Sequence, residues 1–275
     1  MSRHDLLLSH RFPIIEHRYT RRDTILYALG CGAGEDELDL VYERDLIALP
    51  TLASMLAHPG NWFADPALGL DAVRVVHASE RIELAADLPV EAHVTGTQRI
   101  VAIHDRGPRR GALVTTQREI RDAKTGHLLA TVTQRALCRG DGGMGGDAPA
   151  PVPALMPDRA PDRVVTLQTS PRAAAIFRLM GDDNPLHIDP AFAAAAGFAR
   201  PILHGLSTLG HAARAILRDA PGRSVRMMEA RFTAPVVPGD RLEVDLWDTS
   251  TGRAFRARVG QRVVIDNGEV AFGAG

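Results

Sequence analysis

Acidic, amide and imidazole side chains crowd one short stretch of this sequence, Gly181-Asp182-Asp183-Asn184-Pro185-Leu186-His187, with Asp189 just beyond it. Pro185 disfavours helical backbone at Asn184, so the chain must leave any preceding helix and turn. Such a turn can fold Asp182 and His187 towards one another although they are not sequence neighbours. A carboxylate and an imidazole within reach of one water can take a proton from it and deliver one elsewhere. Imidazole suits that work near neutrality, because its ordinary pKa is about 6.5. Polar loops held between apolar segments are where function concentrates. The same residues also have a plain structural reading, since Asp and Asn cap helices and Asn-Pro makes turns. Taken alone, the loop leaves both readings open.

Several elements must position this loop. Residues 163–168 read as a short strand, and 171–180 as an apolar helix (Ala174, Ile176, Phe177, Met180) stopped by Gly181. Asp189-Pro190 opens a second short helix, with Asp as N-cap and Pro in the first helical position. Beyond Gly197 and Pro201 a third helix is expected over 204–217. Four strands are expected after it, at 224–232, 241–247, 254–259 and 262–265, the last extending to 272 in one reading. Gly239-Asp240, Thr251-Gly252 and Asn267-Gly268 punctuate them as turns.

The first half repeats that order more faintly. A helix at 23–29 runs into Gly30, Gly32 and Gly34, and an apolar helix follows at 49–57. Strands are expected at 71–76, 81–84, 92–103, 111–122 and 128–137, with a hairpin turn at Asp122–Gly126. Between the halves lies GDGGMGGDAPAPVPALMPDRAP, residues 140–161, a linker by composition. The predicted organisation is therefore 1–139, a linker at 140–161, and 162–275. Each half reads as helices first and an antiparallel meander second. That is an α+β layout, a duplicated fold in which each repeat wraps a curved sheet around a long helix.

Composition narrows the function. The 275 residues carry a formal net charge of −1, so no global positive field draws the chain to nucleic acid or an anionic membrane. Arg21-Arg22 and Arg109-Arg110 are short clusters of the kind found on ordinary surfaces. Cys31 and Cys138 form no metal-type spacing and make a poor disulfide framework. No G-x-G-x-x-G follows a strand and no P-loop is present, so neither a nucleotide cofactor nor a metal is expected. Leu6-Leu7-Leu8 lacks a signal-peptide core, and no stretch approaches the ~20 apolar residues of a membrane span. Gly273-Ala274-Gly275 matches neither a lipidation signal nor a peroxisomal address. A soluble, cytoplasmic protein is expected.

The loop resembles the signature of the MaoC-like, R-specific enoyl-CoA hydratases, in which G-D-x-N-P-L-H opens the catalytic loop. The resemblance continues through Ile188-Asp189-Pro190-Ala191-Phe192 and into Ala199-Arg200-Pro201-Ile202-Leu203-His204-Gly205-Leu206. It extends to Arg231-Phe232-Thr233-Ala234-Pro235-Val236 and Pro238-Gly239-Asp240. In the first half, Ile25–Gly30, Ala48-Leu49-Pro50-Thr51 and Val76-His77 resemble the two-repeat members known as hydratase 2. The resemblance implies a double hot-dog fold, one chain mimicking a dimer of single hot-dogs. It also implies an acyl-CoA substrate and hydration of trans-2-enoyl-CoA to (3R)-3-hydroxyacyl-CoA.

Carried over residue by residue, the resemblance makes Asp182 and His187 the pair that holds the water, with Asn184 fixing the loop's geometry or helping to hold that water. Gly205 then supplies a backbone N–H to the thioester oxygen. His204 orients the loop or caps the helix, and His77 shapes the acyl pocket. The neighbours of His77, Ala78-Ser79-Glu80, depart from the family's Gly-Glu-Gln. Arg200, Arg231 and Arg253 are candidate contacts for CoA phosphates. The first half has no Asp and His pair where its repeat would carry one, since 29–34 reads LGCGAG. It is expected to be catalytically silent, with room for an apolar tunnel that holds the acyl tail. Competing readings are dehydration of carrier-protein thioesters, thioester hydrolysis and non-catalytic acyl-thioester binding. A homodimer is one assembly that the sequence leaves open.

Overall fold

The computed structural model describes residues 2–146 and 148–273, so Asp147 of the linker and the terminal Ala274-Gly275 lie outside it. The chain runs α1 (Arg3–Ser9), β1 (Ile15–Tyr19), α2 (Arg21–Gly30) and α3 (Leu38–Val41). Next come β2 (Val75–Leu84), β3 (Ala92–Asp105), β4 (Ala112–Asp122) and β5 (Leu128–Cys138). The second half opens with β6 (Arg163–Gln168) and the helices α4 (Ala173–Phe177), α5 (Pro190–Ala195) and α6 (Gly205–Asp219). Strands β7 (Val225–Phe232), β8 (Arg241–Asp248), β9 (Gly252–Val259) and β10 (Arg262–Phe272) complete it. All ten strands form one sheet in the order β1-β3-β4-β5-β2-β7-β10-β9-β8-β6, five from each half. The halves join where β2 pairs antiparallel with β7, from Ser79 opposite Arg231 to Glu83 opposite Met227.

Most expected elements are present; α1 and α3 were not expected, and four further differences stand out. Residues 71–84 form one strand preceded by a 3-10 turn, rather than two strands. Asn267-Gly268 is not a turn but a bulge inside β10, with Asn267 at φ 53 and the register slipping between Asp266 and Glu269. The helix expected at 49–57 is a fully buried 3-10 segment, Pro50–Met55, and the chain leaves it through Leu56 in extended backbone. Strand β1, which pairs with β3 at the sheet edge, carries no pattern strong enough to have been expected.

Helix α6 is the axis of the molecule. Every residue from Ser207 to Ile216 is buried, and the inner face of the second half offers Met228, Ala230, Leu242, Leu246 and Phe255, all 1% exposed or less. Gly210, Ala212, Ala213 and Ala215 keep the helix thin, so that α2 and the loop after it can approach. That loop is the glycine-rich 29–34. A Cβ on Gly32, whose φ is +81, would lie 2.5 Å from His211 Nε2, and one on Gly30 would lie 3.0 Å from the Phe177 Cα. Gly30 and Gly32 thus pack against the second half, whereas a Cβ at Gly34 would meet open space.

Arg214 of α6 donates to the Glu37 carboxylate through Nε and Nη2, and to the Cys31 carbonyl through Nη1. Both partners are at most 7% exposed, so this buried pair clamps α6 to the first half. Removing one partner of a buried pair strands the other charge, which costs about 3–5 kcal/mol. Glu37→Ala should therefore lower unfolding free energy by roughly that amount in urea titration. A loss below about 1 kcal/mol would show that water reaches the guanidinium.

Candidate active site

Three segments of the second half converge on one point. Gly181, at φ +103, closes the 3-10 turn that ends α4 and starts the polar loop. Asn184 Oδ1 accepts from the Leu186 N–H, capping a 3-10 turn at Pro185–His187. Asp189 accepts from the Ala191 and Phe192 N–H groups and caps α5, with Pro190 in the first helical position. These local devices hold Asp182 and His187 on one side of the loop. The third segment, 200–204, brings in Ile202 and His204.

One donor atom each of Asp182, His187 and His204 lies within 4.8 Å of the other two. The His187 and His204 rings stack with centroids 3.7 Å apart. His187 Nδ1 lies 2.9 Å from the Ile202 carbonyl. A carbonyl only accepts, so Nδ1 carries the hydrogen and Nε2 is left with its lone pair. By the same logic His204 Nε2, 3.3 Å from the Asp182 carbonyl, donates to it. His204 thus touches both expected catalytic residues. It is also the N-cap residue of α6, yet its side chain makes no cap hydrogen bond.

Burial pushes the His187 pKa below its usual value, against the opposing pull of the Ile202 hydrogen bond and the Asp182 carboxylate. Burial, aided by neighbouring His187, lowers His204 to about 3. Both rings are therefore neutral at pH 7. His211, one turn into α6, is lowered to about 4, also by burial. These shifts bear on stability. A histidine with a depressed folded pKa favours the folded state fully above its unfolded pKa near 6.5, and loses that contribution as pH falls through the folded value. Between pH 6.5 and about 4 the unfolded chain takes up protons that folded His204 and His211 refuse. Each costs about 1.4 kcal/mol per pH unit over that window. The Tm should fall steeply on acidification from pH 6.5 to 4, and His211→Gln should flatten that slope. A Tm independent of pH there would contradict the buried, neutral assignment.

Gly205 is the first residue of α6, and its surface is partly open. N–H groups in the first turn of a helix have no intrahelical acceptor and sit at the positive dipole end. A Cβ on Gly205 would meet the Phe232 ring at 3.4 Å. The Phe232 ring in turn lies 4.7 Å from that of His77. His77 Nε2 bonds the buried Glu80 carboxylate at 3.0 Å. Thus His77 reaches the helix start through Phe232.

The arginines are scattered. Arg200 and Arg231 are exposed, bonded to the Pro238 carbonyl and to Asn267 Oδ1. Arg253 is ion-paired with Asp219 and Asp248. Sequence reasoning missed the contribution of Ile202, because what acts is its backbone carbonyl and no side-chain type advertises that. It also missed the aromatic link at Phe232, visible in the sequence only as one residue of a strand. The Asp182, His187 and His204 trio has the donor set of a divalent-cation site, since neutral imidazole is the metal-binding form.

Comparison with known proteins places this geometry in context. Residues 153–269 match the sequence profile described as MaoC like domain, and residues 17–140 match that of the MFE-2 hydratase 2 N-terminal domain. The chain is 38% identical over 273 residues to 3-hydroxyacyl-thioester dehydratase Y of Mycobacterium tuberculosis, covering 94% of each protein. It is 33% identical to the peroxisomal enoyl-CoA hydratase 2 of Arabidopsis thaliana, over 94% of this chain and 91% of that one. Among solved structures, a MaoC-like dehydratase from Phytophthora capsici superposes with a TM-score of 0.87. It shares 29% identity, and the match covers 98% of this chain and 99% of that one.

Proposed function

We propose the roles of individual residues from one premise: this chain belongs to the MaoC-like enoyl-CoA hydratase family, as a two-repeat member of the hydratase 2 type. It is a hydro-lyase with a double hot-dog fold, and its reaction is the hydration of enoyl-CoA. The observation that carries the assignment of roles is the His187 imidazole, its Nδ1 held by the Ile202 carbonyl and one ring nitrogen within 4.8 Å of an Asp182 carboxylate oxygen.

In this reading His187 Nε2 takes a proton from water as its oxygen adds to C3 of the enoyl thioester. Asp182 accepts the water's second hydrogen and so orients it. Electron density moves from the double bond onto the thioester oxygen, which the Gly205 N–H receives as an enolate. The proton on His187 then returns to C2, with Asp182 in reach to relay it. A neutral base is needed for the first step. Hence kcat/KM should fall on acidification only below pH 6.5, because burial lowers the pKa of His187. An acidic limb above pH 7 would exclude His187 as the base.

His204 is assigned as a positioning residue, stacked on His187 and bonded to the Asp182 backbone. Asn184 holds the loop through its cap rather than touching the water. Residues 162–275 are the catalytic repeat, 1–139 the silent one that carries the acyl tail, and 140–161 the linker. His77 lies at the boundary between thioester and tail, and exposed Arg200 and Arg231 are the candidates for CoA phosphates. We assign the (3R) product, CoA rather than carrier-protein substrates, and a cytoplasmic location. No helix among the described residues is long and apolar enough to cross a membrane.

The direct test follows loss of the conjugated enoyl-thioester absorbance with crotonyl-CoA and longer homologues, then resolves the product by chiral chromatography. A 3S product would refute the stereochemical assignment. Release of free CoA would indicate thioester hydrolysis instead.

A further inference from the structure

The inner faces of the two half-sheets differ in kind. In the second half that face is apolar and α6 fills it. In the first half it carries a polar belt. Register aligns Thr116 with Gln134 and Gln134 with Glu80, a row across β4, β5 and β2. One step along β4 on the same face, Arg118 pairs with Gln98 of β3. Glu80, Thr116 and Arg118 are at most 4% exposed, yet they sit among Ile82, Val114 and Ile120, as deep in the interior as the apolar core.

The belt is rich in hydrogen-bonding capacity that the protein does not use. Arg118 gives Nη2 to the Ser54 carbonyl at 2.6 Å and Nη1 to Gln98 at 3.3 Å, both neutral oxygens. Its Nε, the Gln98 Nε2, and the hydroxyl of Ser54 on the overlying 3-10 segment are buried with no partner. Unpaired buried polar atoms are costly and rarely cluster without a reason. Gln134 stays half-buried on this inward face, so the belt is not sealed along its length. The belt also connects to the reacting end, because Glu80 bonds His77, whose ring packs on Phe232 beside Gly205.

We propose that this belt recognises a neutral oxygen substituent, hydroxyl or keto, carried on the acyl chain away from the thioester. The inference rests on the reading that the first half holds the acyl tail. Unpaired N–H and O–H groups match an acceptor oxygen, whereas a plain alkyl tail would leave them unsatisfied. The lining already balances the Arg118 cation against the Glu80 anion, so an added carboxylate would find no counter-charge. From β2 to β4 the belt spans two strand spacings, about 10 Å. The oxygen it meets therefore lies well along the tail, out of reach of a four-carbon acyl group.

The test compares trans-2-dodecenoyl-CoA with its ω-hydroxy, ω-oxo and ω-carboxy counterparts. Each kcat/KM is divided by that of crotonyl-CoA measured on the same preparation, which removes losses from misfolding. Wild type should favour the hydroxy or oxo tail over the plain tail by about tenfold or more, because a site built to hydrogen-bond an oxygen rejects a substrate that lacks it. Gln134→Leu and Thr116→Val should collapse that ratio towards one, and Gln134→Trp should depress all long tails by filling the space. Equal turnover of plain and oxygenated tails, with Gln134→Trp still blocking both, overturns oxygen recognition and leaves the tail-holding role intact. If Gln134→Trp changes no ratio, the tail-holding reading falls with it. A preference for the ω-carboxy tail overturns the neutral-oxygen assignment.

Discussion

Asp182→Asn and His187→Gln should each lose roughly a thousandfold in kcat/KM for enoyl-CoA hydration, within the range that a positioned acid or base supplies. Asn keeps the shape of Asp182 and an oxygen able to accept from the Asn184 N–H, as Asp182 Oδ1 does at 3.4 Å. What it loses is the charge that draws on the water's hydrogen. Gln at 187 removes the lone-pair nitrogen fixed by the Ile202 bond. Because both residues act on the same water, the double variant should be scarcely worse than either single one. Circular dichroism melting of each variant separates lost chemistry from lost fold. Activity within about fivefold of wild type for either variant would remove that residue from the mechanism.

Gly205→Pro should lower kcat by about a hundredfold to a thousandfold, whereas Gly205→Ala should change it severalfold at most. Proline suits this position on structural grounds. It is favoured at the first turn of a helix, and the residue before it must be extended, as His204 already is at φ −56 and ψ 137. The fold should therefore survive, but the N–H proposed to receive the thioester oxygen is gone. Alanine keeps that N–H and adds only a methyl, at ordinary contact distance from Phe232. If the two variants turn over alike, the enolate is stabilised elsewhere, and the N–H of Leu206 would be the next candidate.

The difference in size between the two predictions follows from where each group acts. In the proposed mechanism Asp182 and His187 move the protons themselves. The Gly205 N–H is one of several donors at a helix end. Retention of near-normal KM in Gly205→Pro with a depressed kcat would place its contribution in the transition state rather than in substrate binding.

Much of the site was legible in the residues. Pro185, Gly181 and Asp189-Pro190 write the loop's path in local terms, and the structure uses each of them as a turn, a stop or a cap. The strands of both halves were legible for the same reason, since alternation along a strand is local. The expected helix at 49–57 went wrong because apolar residues in a buried 3-10 segment look like those of a helix. At Gly30 and Gly32 a glycine signals either space or close approach, and only the positions of α4 and α6 decide for close approach.

By itself the sequence determined which residues could do the chemistry and the order of the elements that carry them, because turn and cap preferences act over a few residues. Only the tertiary structure decided which His187 nitrogen is free, that His204 stacks between helix and loop, and that Arg214 finds Glu37. It alone aligned Glu80, Gln134 and Thr116 into a polar row. Those facts depend on backbone carbonyls, strand register and the seating of α6, all set by contacts between distant parts of the chain.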